Sequence, residues 1–150
     1  MKIILSVLML ICLCGCNSES DDDDFIYREY QLPGEAMGGV YLNLGLGIES
    51  DKAVLINDEA EFQRVFFNYP NARAVDFEKY TLLLVKSFPP SGVRDIEKTI
   101  SKTDDKYVFT FNVARNGHVI LDPWYLAYII PKTSEENIIL SVTYGYYTWY

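Results

Sequence analysis

Residues 82–85 read Leu-Leu-Leu-Val, apolar at every position where a half-exposed strand would alternate. The run Tyr80–Phe88 therefore predicts a central strand buried on both faces, ended by Pro89-Pro90-Ser91-Gly92. The rest of the chain supplies partners for it. Lys106–Arg115 alternates, with Tyr107, Phe109, Phe111 and Val113 facing one way and Thr110 and Asn112 the other. Asp104-Asp105 before this run predicts a turn, and Asn116-Gly117 after it predicts a hairpin. Trp124–Ile130 and Asn137–Gly145 read as two further strands joined through Pro131 and a polar loop, and Val93–Ser101 as a polar edge strand. Lys52–Ile56 is a short apolar run. In Val40–Gly47, period-two spacing places Leu42, Leu44 and Leu46 on one face, with Gly45 and Gly47 as small residues where another element lies close.

One helix is predicted. Asp58 followed by Glu61 makes a start resembling a capping box, Phe62, Val65 and Phe66 recur at helical spacing, and Tyr69-Pro70 ends the run after about ten residues. So short a helix is marginal alone and needs a sheet beneath its aromatic face. Six to eight strands and this helix predict an α+β domain, mostly antiparallel, as a curved sheet or open barrel with the helix packed on one side. It spans residues 40–150; residues 25–39, with Pro33, Gly34 and Gly38-Gly39, read as an extended lead-in or an edge strand.

The sulfur is confined to the other end. Cys12, Cys14 and Cys16 are the three cysteines, and none follows. Met1-Lys2 and the apolar run Ile3–Leu13 form the core of a signal peptide, too short for the roughly 20 residues of a membrane-spanning helix. Leu13-Cys14-Gly15-Cys16 then resembles the lipobox of bacterial lipoproteins, so residues 1–15 are expected to be removed and Cys16 to carry palmitate or similar acyl chains. No thiol is left for a disulfide, and the domain has to rely on burial; the 49% hydrophobic and 15% aromatic content supports this. At about 0.8 kcal/mol per buried methylene, two or three chains hold a protein on a bilayer where one does so only marginally.

Residues 16–24 form a tether, because the adjacent carboxylates of Asp21–Asp24 repel and stay hydrated. Its eight residues after Cys16 reach about 26–29 Å when stretched. Consecutive carboxylates also lack the spacing that wraps a calcium ion. An acidic run behind the lipidated cysteine is similar to the surface-export signal of Bacteroidetes lipoproteins, which implies an outer-membrane anchor with the domain at the cell surface. A plain spacer would instead leave it on the periplasmic face. The net charge is −8, from 13 basic and 21 acidic residues. Without Lys2, Glu19 and Asp21–Asp24 the body holds 12 bases and 16 acids, a balance of −4. No basic field exists to draw nucleic acid.

Val75-Asp76-Phe77-Glu78-Lys79, Leu82–Val85, Ser91-Gly92, Lys106-Tyr107 and Ile129-Ile130-Pro131-Lys132 together resemble the C-terminal domain of PrcB-type lipoproteins over about 60 residues. That family is associated with a protease complex. Its Gly-Gly-Tyr-like turn is replaced here by Gly92-Val93-Arg94. The resemblance implies a non-catalytic accessory domain that contacts another protein, and it transfers no catalytic residue.

The residues themselves offer little catalytic chemistry. His118 is the single histidine and sits beside a turn, where solvation is the ordinary state, and the usual Cys/His zinc sets cannot form. Asp104-Asp105 and Glu135-Glu136 are turn carboxylates; a glycosidase would need two that converge across a cleft. Gly45-x-Gly47 lacks a third glycine at Ser50 and fails as a phosphate loop. We therefore expect a chain that is not an enzyme and needs neither cofactor nor metal. Aromatic residues are the remaining binding candidates. Tyr144–Tyr150 places Tyr144, Tyr146 and Tyr150 on one face and Tyr147 and Trp149 on the other, and one set is expected in the core. Trp124, Tyr125, Tyr147 and Trp149 are the candidates for a protein contact or, alternatively, for stacking on a glycan.

Overall fold

The computed structural model describes residues 25–37, 40–42, 44–89, 91–116 and 123–146. Cys16, the tether, His118, Tyr147 and Trp149 lie outside them. The described residues form nine strands and one α-helix in three layers, an α+β architecture whose two sheets do not close into a barrel. The middle layer holds β5 (Tyr80–Ser87) and β8 (Trp124–Pro131), paired antiparallel along their length with Leu83 opposite Tyr128 and Leu84 opposite Ala127. β4 (Lys52–Ile56) flanks β5. Beyond β8 lie β1 (Arg28–Glu29), β2 (Ala36–Met37) and β3 (Val40–Leu42).

Both faces of this sheet are covered. Leu82, Leu84, Tyr125 and Ala127 point toward Phe62, Val65 and Phe66 of α1 (Glu59–Val65) and its C-terminal cap. Leu83, Val85, Trp124, Leu126, Tyr128 and Ile130 point the other way, against Phe109, Phe111 and Val113 of the second sheet. The unbroken apolar run at 82–85 is thus the signature of a strand between two cores, and all four residues are fully buried.

The helix starts as predicted: Asp58 caps it, its carboxylate accepting the Glu61 N–H at 2.8 Å. At seven residues it is shorter than expected, since Phe66 already has cap geometry, while Phe62 and Phe66 stack at 4.6 Å. Phe67 just beyond is 82% exposed.

The second sheet has the order β6 (Val93–Thr103), β7 (Lys106–Arg115), β9 (Ile138–Tyr146). β6 and β7 turn at Asp104-Asp105, with Asp104 at φ +52°, a region aspartate tolerates better than most residues. Gly117 lies outside the described residues, but the strands on either side, β7 and β8, do not pair as the expected hairpin. After β7 the chain crosses to the middle sheet as β8, then returns so that β9 pairs parallel with β7. Asn116 serves the neighbouring strand instead, its N–H donating to the Gly92 carbonyl at 3.0 Å. Its side chain lies so close that a Cβ on Gly92 would fall 2.6 Å from Asn116 Oδ1.

Two further expectations are corrected. Val40–Gly47 is a strand only to Leu42, whose partner Trp124 is the first residue of β8. Leu42 packs with the core between the sheets, whereas Leu44, Leu46 and Ile48 turn to the helix side. Gly45 and Gly47 face open space rather than a close neighbour. Of the two readings of residues 25–39, the edge strand holds: β1 and β2 join the sheet, and Tyr30 and Leu32 are buried, so the folded body takes in this segment.

These packing relations set an order of costs. Leu83→Ala should lower stability by about 2–5 kcal/mol through the cavity it opens between the sheets, and Asp58→Ala by about 1 kcal/mol through the lost cap. Urea unfolding of both variants checks the ranking.

Candidate functional site

β8 is lined along one edge by β5 and along the other by two separate pieces of the N-terminal segment. Glu29 stands opposite Tyr128, and the Tyr30 N–H donates to the Ala127 carbonyl at 2.9 Å. Tyr41 then stands opposite Tyr125. Between these pieces the chain leaves the sheet and returns through β2, and a notch of about 310 Å³ remains. Its floor is Leu126 and Ala127, and its walls are Tyr30, Gln31, Ala36 and Tyr41. Glu29 and Lys98 give it a polar end, which Tyr128 also lines.

Each polar group is placed by its strand. Lys98 is opposite Phe111 on β6, so its side chain leans over the inner face of the second sheet, where its ammonium reaches Glu29 Oε1 at 3.2 Å. The pair spans the two sheets. Glu29 is 65% exposed, which keeps its contribution to stability small, about 0–1 kcal/mol. Tyr128 is 1% exposed, held between Phe111 stacked at 6.0 Å and Tyr27 edge-on at 5.7 Å. Its hydroxyl is buried with no hydrogen-bond partner among the described residues. Leaving such a group unpaired costs about 1–3 kcal/mol. Burial, and after it the nearby Glu29 charge, push the Tyr128 phenol well above its ordinary pKa of 10.0, so it stays neutral and able to donate.

The sequence candidates are distributed differently. Trp124 and Tyr125 are 0% and 2% exposed. Trp124 packs edge-on to Phe111 at 6.4 Å in the core between the sheets, and Tyr125 lies in the core under the helix, its ring 6.0 Å from the Lys86 ammonium. Neither ring presents a face to a ligand, because β8 is covered on both sides. Tyr144 also turns inward. Ser87, fully buried at the end of β5, donates its hydroxyl to Asp51 Oδ1, which leaves its oxygen to accept from the Tyr144 hydroxyl. Trp124 Nε1 has no full hydrogen bond, but its N–H lies near enough to the Tyr144 oxygen to favour the ionised phenol. This cluster ties β5 of one sheet to β9 of the other, and Asp51 takes φ +61° to reach it. It is a clasp with no open face on Ser87.

Sequence reasoning missed the notch. Glu29 and Lys98 are 69 positions apart and meet only through the fold. β8 carries two tyrosines, Tyr125 and Tyr128, and nothing in the sequence tells which hydroxyl is left without a partner.

Several buried tyrosines make the fold sensitive to alkali. Tyr30, whose hydroxyl donates to the Arg73 carbonyl at 2.6 Å, is pushed from 10.0 up to about 12 by burial, against a smaller opposing pull from Arg73. Tyr125, Tyr128 and Tyr144 are raised for the same first reason. A phenol that holds its proton longer when folded gives stability that is complete below pH 10 and lost as pH climbs toward 12. For Tyr30 the loss amounts to about 3 kcal/mol. Thermal midpoints should therefore fall between pH 10 and 12, less steeply in Tyr30→Phe, as circular dichroism melts at graded pH will measure. Set beside known proteins, the chain matches no family model, no curated protein and no solved structure.

Proposed function

We propose that this chain is a lipid-anchored binding module of the bacterial envelope, non-catalytic and held by acyl chains on Cys16, with its folded body contacting another protein such as a protease or an envelope complex. The observation that carries the reading is Leu13-Cys14-Gly15-Cys16 placed directly after the apolar run Ile3–Leu13. The body supports it from the other side of the tether. Phe25 is already held, tilted against Tyr80 at 5.4 Å and capped by the Arg28 guanidinium at 4.0 Å, so the chain is packed into the body from its first described residue. An anchor that close keeps the domain within about 26–29 Å of the bilayer surface. Outer-membrane attachment with the domain facing outward is the placement that the acidic residues behind Cys16 favour.

Radiolabelled palmitate should enter the wild-type protein and not Cys16→Ser, which should move from the membrane to the soluble fraction. Label retained in the Ser variant, or unchanged fractionation, overturns the anchor. Protease treatment of intact cells should remove the domain if it faces outward, and crosslinking before that treatment should capture its protein partner.

A further inference from the structure

We propose that β9 is a dimerisation strand: two copies of this chain pair their β9 edges antiparallel about a two-fold axis at Val142, joining their three-stranded sheets into one continuous sheet. The inference goes beyond the envelope reading and does not depend on the anchor.

The contrast between the edges of the two sheets carries it. An open strand edge is a template for another chain, and proteins guard such edges by shortness, charge or bulges. β1 and β2 are two residues each. β4 has five and starts at Lys52, which pairs with Glu49. β6 is long, but it carries Arg94, Asp95, Glu97, Lys98 and Lys102 and shifts register between Val93 and Asp95. β9 has none of these guards. Its nine residues, Ile-Ile-Leu-Ser-Val-Thr-Tyr-Gly-Tyr, include no charge and no proline, it pairs with β7 without a register shift, and no described strand pairs with its far edge.

A second copy is the occupant that its sequence fits. About an axis at Val142, Ile139 of one copy stands opposite Gly145 of the other, and Ser141 opposite Thr143. Ile139 is 48% exposed, and a Cβ on Gly145 would meet nothing within 4 Å, so the isoleucine has the space to lie over the glycine. Serine and threonine hydrogen-bond well across strands, and Leu140 meets Tyr144 on the face that packs on the core. Pairing of this length makes about eight to ten backbone hydrogen bonds, whichever alternate residues turn outward. The antiparallel sense also holds Glu135 and Glu136 of the two copies at opposite ends, about 30 Å or more apart, where salt screens them. The joined sheet then ends on the guarded β6 of each copy, so association closes at two copies rather than extending as a fibre.

The test is sedimentation of the full-length protein, in a detergent with micelles in large excess, from low to high micromolar concentration. The wild type should pass from monomer to dimer over this range. Ser141→Lys, on an exposed side chain, should weaken association tenfold or more while melting as the wild type does. In the paired strands residue 141 of one copy lies diagonal to residue 141 of the other, within reach of long side chains, so two lysines repel there. Mixing Ser141→Lys with Ser141→Glu should restore the dimer. Thr99→Lys, on the same face of the sheet but at the β6 edge, is the control and should dimerise like the wild type. The proposal is overturned by a wild type that stays monomeric, whether or not a photo-crosslinker at position 141 captures a foreign protein in cells. A Ser141→Lys dimer as tight as the wild type's, no recovery in the mixture, dissociation by Thr99→Lys, or an assembly larger than two copies overturns it equally. Palmitate labelling should be the same in all these variants, so failure here is distinct from failure of the anchor.

Discussion

The burial of β5 and β8 on both faces is the constraint that the remaining structure satisfies. Each strand sends alternate side chains into two cores, so the sheet is stable only with a layer above and a layer below. On one side the cover is a seven-residue helix, too short to hold itself, whose aromatic face supplies most of what it contributes. On the other it is a three-stranded sheet whose inner face is Tyr107, Phe109, Phe111 and Val113. With no cysteine beyond position 16, these two interfaces take the place of covalent staples.

What the sequence made legible follows from how local each signal is. Strand β5, the alternation in β7, the Asp104-Asp105 turn and the Asp58 cap depend on residues within a few positions of one another, and the structure reproduces them. The Asn116-Gly117 hairpin failed because a turn signal reports that the chain bends but not which sheet receives the next strand. The break of Val40–Gly47 at Leu42 was invisible for a related reason, since the partner of Leu42, Trp124, lies more than 80 residues later. The notch lies at the far end of this scale, assembled from β1, β2, β3, β6 and β8.

The aromatic residues show why composition misleads about sites. Trp124 and Tyr125 looked like binding rings because large aromatics are common at interfaces, yet here they fill the two cores on either side of one strand. Tyr128, three and four positions on, fills the core between the sheets beside Trp124, and both keep a buried polar atom without a full hydrogen bond.

The parallel pairing of β7 with β9 bears on how this chain acquires its shape. A strand that can be placed only after the chain has crossed to the other sheet and back makes contacts of long sequence separation, which raises the contact order and slows folding. During synthesis one edge of β7 stays unpaired until the nine residues of β9 emerge. This topology withholds the finished sandwich until β9 has been released from the ribosome.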